Sequence, residues 1–339
     1  MGRVTRRHGA QVLAAGILVL LWGCGDDSPT GPTPLPLSIT CPPAQSATSP
    51  DGKALLVSYP SPAVTGGRAP VVTQCAPASG ASFPLGATTV TCTATDADRQ
   101  TRSCSFTVTV SPPPYLRFVK FLAFGDSLTA GSDGYPLPAS AGYAALAVRP
   151  EIAYPTKLQA SLLARYTAQT PQVTNRGQPG ETAAQGAARL PGVITSTQPE
   201  VVLLLEGAND ISGGDPLGIN RAVAGLRTQV REVRQRRGLQ AFLATLPPQR
   251  PGGPRAGGAS LVDPLNTQIK LLAQQEGATL VDVYAGFEGN LTLIGDDGLH
   301  PNEQGYQRMA DVFFAAIRAN LETPFPGAAA TAAWFHAPR

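Results

Sequence analysis

The chain has 339 residues, of which 42% are hydrophobic and 14% charged, a composition of folded globular proteins and a length that suits two domains. Glycine (36 residues) and proline (33 residues) are frequent, which excludes coiled coils and helical solenoids. The formal charge is +3, and it falls to zero without Arg3, Arg6 and Arg7 of the first segment. Because nucleic-acid binding needs a basic surface, we expect no nucleic-acid partner.

Residues 1–23 have the three parts of a secretory signal peptide: a basic stretch, an apolar run over residues 12–22 and the small residue Gly23. This run is too short for a bilayer core, which needs about 20 residues. The sequence Leu21-Trp22-Gly23-Cys24 resembles a bacterial lipobox, which implies cleavage before Cys24 and lipidation of this cysteine. Two or more acyl chains anchor a protein stably.

We therefore expect an exported, membrane-anchored bacterial lipoprotein of the periplasm or the cell surface, which contacts the membrane through its lipid anchor. Ordinary secretion is the alternative. Residues 24–36 are rich in proline, which predicts an extended linker between the anchor and the first domain.

The remaining cysteines all lie before residue 115, and they are Cys41, Cys75, Cys92 and Cys104. In a small exported segment, four cysteines predict two disulfides with three possible connectivities. Their spacings lack the paired close ligands that zinc sites need, so we expect no metal.

Residues 37–110 alternate apolar and polar side chains with period two, with glycine and proline turns between the runs, which predicts a small all-β sandwich. Three pieces resemble the hyalin-repeat (HYR) family: Cys41-Pro42, residues 83–96 (FPLGATTVTCTATD) and residues 104–110 (CSFTVTV). The resemblance implies an immunoglobulin-like domain over residues 37–111, with Cys41 paired to Cys104 and Cys75 paired to Cys92. A passive spacer and a ligand-binding module both fit this domain, whose partner is unknown. Residues 112–114 form a second linker.

From residue 115 the pattern changes to alternating β and α. Apolar runs predict strands over residues 118–124, 172–175, 201–206, 241–246 and 279–284. Helices are predicted over residues 154–168, 181–196, 220–237, 263–276 and 302–320. This alternation predicts an α/β fold with a parallel sheet covered on both faces, and such sheets bind ligands beyond the carboxyl ends of their strands.

Three polar or glycine-rich motifs follow directly on predicted strand ends. They are residues 125–128 (GDSL), 175–180 (NRGQPG) and 207–210 (GAND). A fourth motif, residues 296–301 (DDGLHP), comes just before the last helix. Of the three histidines, His8 lies in the signal segment and His336 in a tail rich in proline and alanine, so His300 is the candidate base. Asp297 is its expected partner, with Asp296 as the competitor.

The four motifs, in this order, resemble the SGNH (GDSL) hydrolase family, whose naming positions correspond to Ser127, Gly177, Asn209 and His300. The resemblance implies a three-layer αβα, flavodoxin-like domain over residues 115–322, followed by a tail over 323–339. The G-x-S-x-G motif of α/β-hydrolases is absent around Ser127.

The expected chemistry is acyl transfer with Ser127 as nucleophile, His300 as acid and base, and Asp297 as the group that orients the imidazole. The resemblance assigns the oxyanion hole to the main-chain N–H groups of Ser127 and Gly177 and the side-chain amide of Asn209. Asp126 and Asp210 are interpreted as turn or cap residues. No cofactor is implied.

Two long connections, residues 132–153 and 247–260, are candidates for shaping the substrate site. The motif blocks resemble the lysophospholipase, thioesterase and arylesterase branch of the family, so we expect a small-molecule or lipid ester as substrate. One alternative is a carbohydrate O-acetyl esterase. Another is a surface binding or adhesion protein that acts through the HYR domain.

Overall fold

The computed structural model of the protein describes residues 35–134 and 147–326. The signal segment, Cys24 and most of the first linker lie outside the described residues. So do residues 135–146 of the first long connection and most of the tail, including His336. Within the described ranges, none of the helices is both long and apolar enough to cross a membrane.

The N-terminal region is all β, as predicted. Its main sheet has the strand order β2-β8-β7-β5, and two short pairs, β1-β4 and β3-β6, flank it. The strands are β1 (Ser38–Thr40), β2 (Gln45–Thr48), β3 (Leu55–Leu56), β4 (Ala63–Thr65), β5 (Val72–Ala76), β6 (Ser82–Phe83), β7 (Gly86–Thr95) and β8 (Thr101–Ser111).

The period-two pattern of the two long strands accounts for this core. Val90 on β7 and Val108 on β8 point inward and are fully buried, whereas the threonines and serines between such positions face outward. The ring of Tyr59 packs edge-on against Phe106, with 4.9 Å between the ring centroids. The immunoglobulin-like, all-β character expected for this region is confirmed.

Both disulfides implied by the HYR resemblance are present. Cys41 is bonded to Cys104, and Cys75 to Cys92. The first bridge joins the segment before β2 to β8, and the second joins opposite positions of β5 and β7. Because these bridges restrict the unfolded chain, they stabilise a domain whose hydrophobic core is small.

The C-terminal region is an α/β domain built on a parallel five-stranded sheet with the order β11-β10-β12-β13-β14. Its strands are β10 (Lys120–Gly125), β11 (Gln172–Gly177), β12 (Val201–Leu205), β13 (Gln240–Ala244) and β14 (Thr279–Val281). All five residues of the central strand β12 are buried, which requires cover on both faces.

Seven helices of the described residues accompany this sheet. They are α1 (Ser127–Ala130), α2 (Tyr154–Arg165), α3 (Ala183–Thr197), α4 (Leu217–Gln235), α5 (Val262–Glu276), α6 (Val283–Gly286) and α7 (Glu303–Leu321). Helix α2 packs against α7, and α4 lies between α3 and α5. The predicted three-layer α/β fold is confirmed.

Several element boundaries differ from the prediction by a few residues, and two of them have a clear local reason. The last strand ends at Val281 because the side chain of Asp282 accepts from Ala285 N and starts the short helix α6. Helix α4 begins three residues early because Asp215 Oδ1 accepts from Leu217 N at 3.0 Å. Sequence reasoning also missed the pair β9 (Tyr115–Leu116) and β15 (Glu322–Thr323), which joins the first and last segments of this domain.

Candidate active site

The first motif turns directly from strand to helix. Strand β10 ends at Gly125, and Asp126 is the N-cap of α1, with its Oδ1 accepting from Leu128 N at 2.9 Å. Ser127 is therefore the first residue of a short helix at the carboxyl end of a central strand. The cap function of Asp126 agrees with its interpretation from the sequence.

Ser127, His300 and Asp297 form one line of hydrogen bonds. His300 Nε2 lies 2.8 Å from Ser127 Oγ, and His300 Nδ1 lies 2.5 Å from Asp297 Oδ2. All three residues are buried, with relative exposures of 5% for Ser127, 1% for His300 and 4% for Asp297. With the proton on Nδ1, the imidazole can accept the proton of the serine hydroxyl at Nε2.

The turn of the last motif explains why Asp297 reaches the histidine. Asp297 Oδ1 accepts from the main-chain N–H groups of Leu299 and His300, each at 2.9 Å. Burial raises the pKa of Asp297, but the hydrogen bond and charge of His300 and these two N–H groups outweigh it and hold the pKa below its ordinary value. Asp296, the competing candidate for this role, is exposed, and its Oδ1 lies 3.5 Å from Arg250 Nη2.

The connection over residues 247–260 packs behind this turn. Arg250 N donates to Gly298 O and Arg255 N donates to Asp297 O, each at 2.8 Å. The segment therefore supports the main chain of the Asp297 turn. Of the other long connection, residues 132–134 and 147–153 are described, and Gly134 O accepts from Asp297 N at 3.0 Å.

Two of the expected oxyanion donors have N–H groups that can face a substrate. Ser127 N has no hydrogen-bond acceptor among the described residues. Asn209 Nδ2 donates to Glu181 O at 2.9 Å, and its second contact, with Asp126 Oδ2, is long at 3.4 Å. Because the amide carries two hydrogens and its second contact is long, one hydrogen of Asn209 is weakly held and available to an oxyanion.

The third expected donor, Gly177, does not fit that role. Its N–H donates to Asn175 Oδ1 at 2.9 Å, in a turn formed by the side chain at the end of β11. The glycine is required for a different reason, because a Cβ at position 177 would lie 2.1 Å from Ala130 N of α1. Gly177 lets the end of β11 contact the helix that carries Ser127.

Sequence reasoning missed Gly180. Glu181 N donates to Gln178 O at 3.2 Å, and Gly180 has a φ of +80°, so residues 178–181 form a β-turn with Pro179 and Gly180 at its centre. Such a turn leaves the N–H of its third residue unpaired, and in the part of the chain that the structure describes Gly180 N has no acceptor. The Pro-Gly dipeptide was the available signal.

We expect Gly177→Ala to lower kcat and to destabilise the domain by about 1–3 kcal/mol, because the added Cβ must displace main-chain atoms of α1. Thermal unfolding and ester turnover measure the two effects. Gly192→Ala is the matched control, since this helical glycine has no atom within 4 Å of an added Cβ. It should be neutral or slightly stabilising. Equal stability and equal kcat of the two variants would contradict the close contact between residue 177 and α1.

Buried acids lie beneath the rim of the sheet. Burial, with the charges of Asp210 and Glu181, raises the pKa of Asp126 to about 7. Burial and the charge of Asp126 also raise the pKa of Glu206, which follows β12, to about 10. Gln229 Nε2 donates to Glu206 Oε2 at 2.5 Å, and the neighbouring Glu181 also raises the pKa of Glu206. A neutral carboxyl suits this arrangement, since it accepts from Gln229 without placing a further negative charge beside the other buried acids.

We expect Glu206→Gln to stabilise the protein increasingly as the pH rises. Above the ordinary pKa of 4.5, the unfolded chain loses the Glu206 proton while the folded protein keeps it, so the wild type loses stability with rising pH. Glutamine has the same shape, does not titrate and offers the same donor and acceptor. The midpoint of thermal unfolding should favour the variant more at pH 8.5 than at pH 5, by several degrees, since about 1 kcal/mol shifts it by roughly 2–4 °C. If the difference between the unfolding midpoints of the variant and the wild type did not change with pH, the raised pKa of Glu206 would be contradicted.

The described residues contain no group of three histidine, cysteine, aspartate or glutamate side chains placed to hold a metal ion.

Comparison with known proteins gives two family matches. The model of the GDSL-like lipase/acylhydrolase family matches residues 123–308, more than half of the chain, and the model of the HYR domain matches residues 34–110. The resemblances to the HYR family and to the SGNH (GDSL) hydrolase family are thereby confirmed. No curated protein matches the chain.

Several solved structures are similar to the C-terminal domain. The lipase/acylhydrolase from Enterococcus faecalis is 23% identical over 61% of this chain and 98% of its own, with a TM-score of 0.50. A carbohydrate acetylesterase family member from Sinorhizobium meliloti is 23% identical over 59% and 97%, with a TM-score of 0.46. The acetylxylan esterase Axe2 from Geobacillus stearothermophilus is 23% identical over 58% and 93%, with a TM-score of 0.46. At this identity, the likeness concerns the fold alone.

Proposed function

Because the chain belongs to the GDSL-like lipase/acylhydrolase family and is a carboxylic ester hydrolase, we propose that it cleaves acyl esters by a serine mechanism. Ser127 is the nucleophile, His300 the general base and acid, and Asp297 the group that orients His300. The observation that carries the proposal is the line of hydrogen bonds of 2.8 Å and 2.5 Å from Ser127 Oγ through His300 to Asp297.

The two half-reactions follow from this geometry. His300 Nε2 takes the hydroxyl proton as Ser127 Oγ attacks the ester carbonyl, and the Asp297 carboxylate stabilises the resulting imidazolium. The same proton passes from Nε2 to the departing alcohol oxygen when the C–O bond of the tetrahedral intermediate breaks. A water molecule, deprotonated by His300, then attacks the acyl-enzyme, and its proton returns to Ser127 Oγ as the acid leaves.

The negative oxygen of the tetrahedral intermediate needs fixed donors. We propose Ser127 N–H, Asn209 Nδ2 and Gly180 N–H, with Gly180 in place of Gly177. Three contacts support this choice: Gln178 N donates to Gly125 O at 2.8 Å, Glu181 O holds Asn209, and Gly177 N–H is occupied by Asn175. The turn that contains Gly180 is thus held between the residues before Ser127 and the Asn209 side chain.

We propose an acyl ester of a small molecule or lipid as the substrate, in the manner of the lysophospholipase, thioesterase and arylesterase branch. Hydrolysis of p-nitrophenyl acetate, butyrate and octanoate by the purified protein tests this, with an acetylated xylooligosaccharide as the competing substrate. We expect turnover that depends on chain length and that a chelator leaves unchanged. Turnover of the acetylated sugar alone would make the protein a carbohydrate O-acetyl esterase. A folded protein without turnover of any ester would overturn the proposal.

A further inference from the structure

The side chain of Arg189, on α3, reaches back across the ends of two strands. Arg189 Nε donates to Glu181 Oε1 at 2.7 Å, and the terminal nitrogen Nη2 contacts Glu181 Oε2. The same Nη2 donates to Arg176 O at 3.1 Å and lies 3.4 Å from Gly125 O. The guanidinium also lies over the ring of Phe124, 4.1 Å from its centroid.

Two of the residues that accept from Arg189, Gly125 and Glu181, lie within two residues of a proposed oxyanion donor. Gly125 O lies two residues before Ser127 and also accepts from Gln178 N, the first residue of the Gly180 turn. Glu181 follows Gly180 directly, and its main-chain oxygen accepts from Asn209 Nδ2 at 2.9 Å. One guanidinium therefore contacts the segments that carry or hold all three donors.

The ion pair with Glu181 is buried enough to hold these segments firmly. The side chain of Glu181 is 1% exposed and that of Arg189 is 23% exposed. The two parallel N–H···O contacts fix the relative orientation of both groups, which a single contact from a lysine could not do. Removing one partner leaves a charge in the interior without compensation.

We propose that Arg189 is a positioning residue of the oxyanion site, which holds the Gly180 turn and Asn209 in register with Ser127. This inference rests on the serine mechanism proposed above. Substitution of a residue that only stabilises the fold would change the stability of the protein and leave the rate of the chemical step unchanged. A positioning residue changes kcat, because a displacement of about 1 Å at the reacting groups can cost 10²-fold in rate.

The test compares Arg189→Lys with Arg227→Lys in the full protein. Arg227 is the matched control because it also forms a partly buried pair, with Glu276 Oε1 at 2.7 Å, but joins α4 to α5. With p-nitrophenyl acetate, kcat of Arg189→Lys should fall by about 10- to 100-fold with KM changed less than about threefold. Arg227→Lys should keep kcat within about twofold.

A double-mutant cycle with Asn209→Ala distinguishes a positioning role of Arg189 from a purely structural role. If Arg189 acts through the donors, Arg189→Lys should lower kcat less in the Asn209→Ala background than in the wild type. Equal factors in both backgrounds, or a kcat of Arg189→Lys equal to that of Arg227→Lys, would overturn the inference. If Arg189→Lys does not fold, Glu181→Gln, which removes the partner's charge at constant size, takes its place in the same cycle.

Failure of the serine mechanism gives a different result. In that case the wild type does not hydrolyse the ester, or Ser127→Ala retains the wild-type rate, whatever the Arg189 variants do. A wild type whose activity depends on Ser127, together with unchanged kcat in Arg189→Lys, overturns the role of Arg189 alone.

Discussion

Replacing Ser127 by alanine is expected to lower kcat for ester hydrolysis by about 10⁴- to 10⁶-fold, the range seen when the nucleophile of a serine hydrolase is removed. Ser127 Oγ makes the 2.8 Å contact with His300 Nε2, and without it no acyl-enzyme can form. Alanine is a good helix former at the first position of α1, so the fold should persist. Steady-state kinetics measures the loss of kcat, and thermal unfolding of the same preparation shows whether the fold persists.

His300→Ala is the companion variant, since it removes the base and leaves the nucleophile. Because the two residues act as a unit, the double variant should be little worse than either single variant. Two results would contradict the assigned roles. One is a double variant whose loss of kcat is the product of the two single losses. The other is a Ser127→Ala protein that keeps more than about a tenth of the wild-type kcat.

Replacing Asn209 by alanine is expected to lower kcat by about 10²- to 10³-fold, or about 3–4 kcal/mol of barrier, with a small change in KM. The side-chain amide holds Glu181 O at 2.9 Å and keeps a second hydrogen for the oxyanion. The loss is smaller than for Ser127 because the N–H groups of Ser127 and Gly180 remain. Asn209→Asp keeps the size but has no donor and adds a negative charge, so it should be at least as severe.

The control for this prediction is Asn290→Ala, which removes an exposed helix cap next to Leu291–Leu293. It should lower the stability slightly and leave kcat unchanged. An Asn209→Ala protein that raised KM with normal kcat would mean that Asn209 binds the substrate in its ground state rather than the oxyanion.

The architecture could be predicted because it depends on local patterns. Threonine or serine alternates with apolar residues along most of β7 and β8, and five apolar runs separated by helical patterns define the parallel sheet. The line Ser127–His300–Asp297 was also accessible from the sequence. Strand ends of a parallel sheet meet at one rim, and the chain has a single histidine in a loop that can reach it.

The sequence could not reveal which side chains form hydrogen bonds with the main-chain N–H and C=O groups around the site. Gly177 and Gly180 stand three residues apart, and the choice between them as donor follows from the contact of Asn175 Oδ1 with Gly177 N. The contacts of Arg189 with Gly125 O and Arg176 O join residues 64 and 13 positions apart. No periodicity indicates such contacts. The packing of residues 247–260 behind Asp297 is of the same kind.

The central claim is that Ser127 is the nucleophile activated by His300, and covalent labelling tests it most directly. A p-nitrophenyl alkylphosphonate transfers its phosphonyl group to an activated serine and releases p-nitrophenol, which leaves a stable adduct. Intact-mass and peptide mass spectrometry of the treated protein should show one phosphonyl group, on Ser127, formed in step with the loss of esterase activity. The adduct should be absent from His300→Ala. An inactivated protein that carries its label on another residue, or equal labelling of Ser127 without His300, would contradict the account.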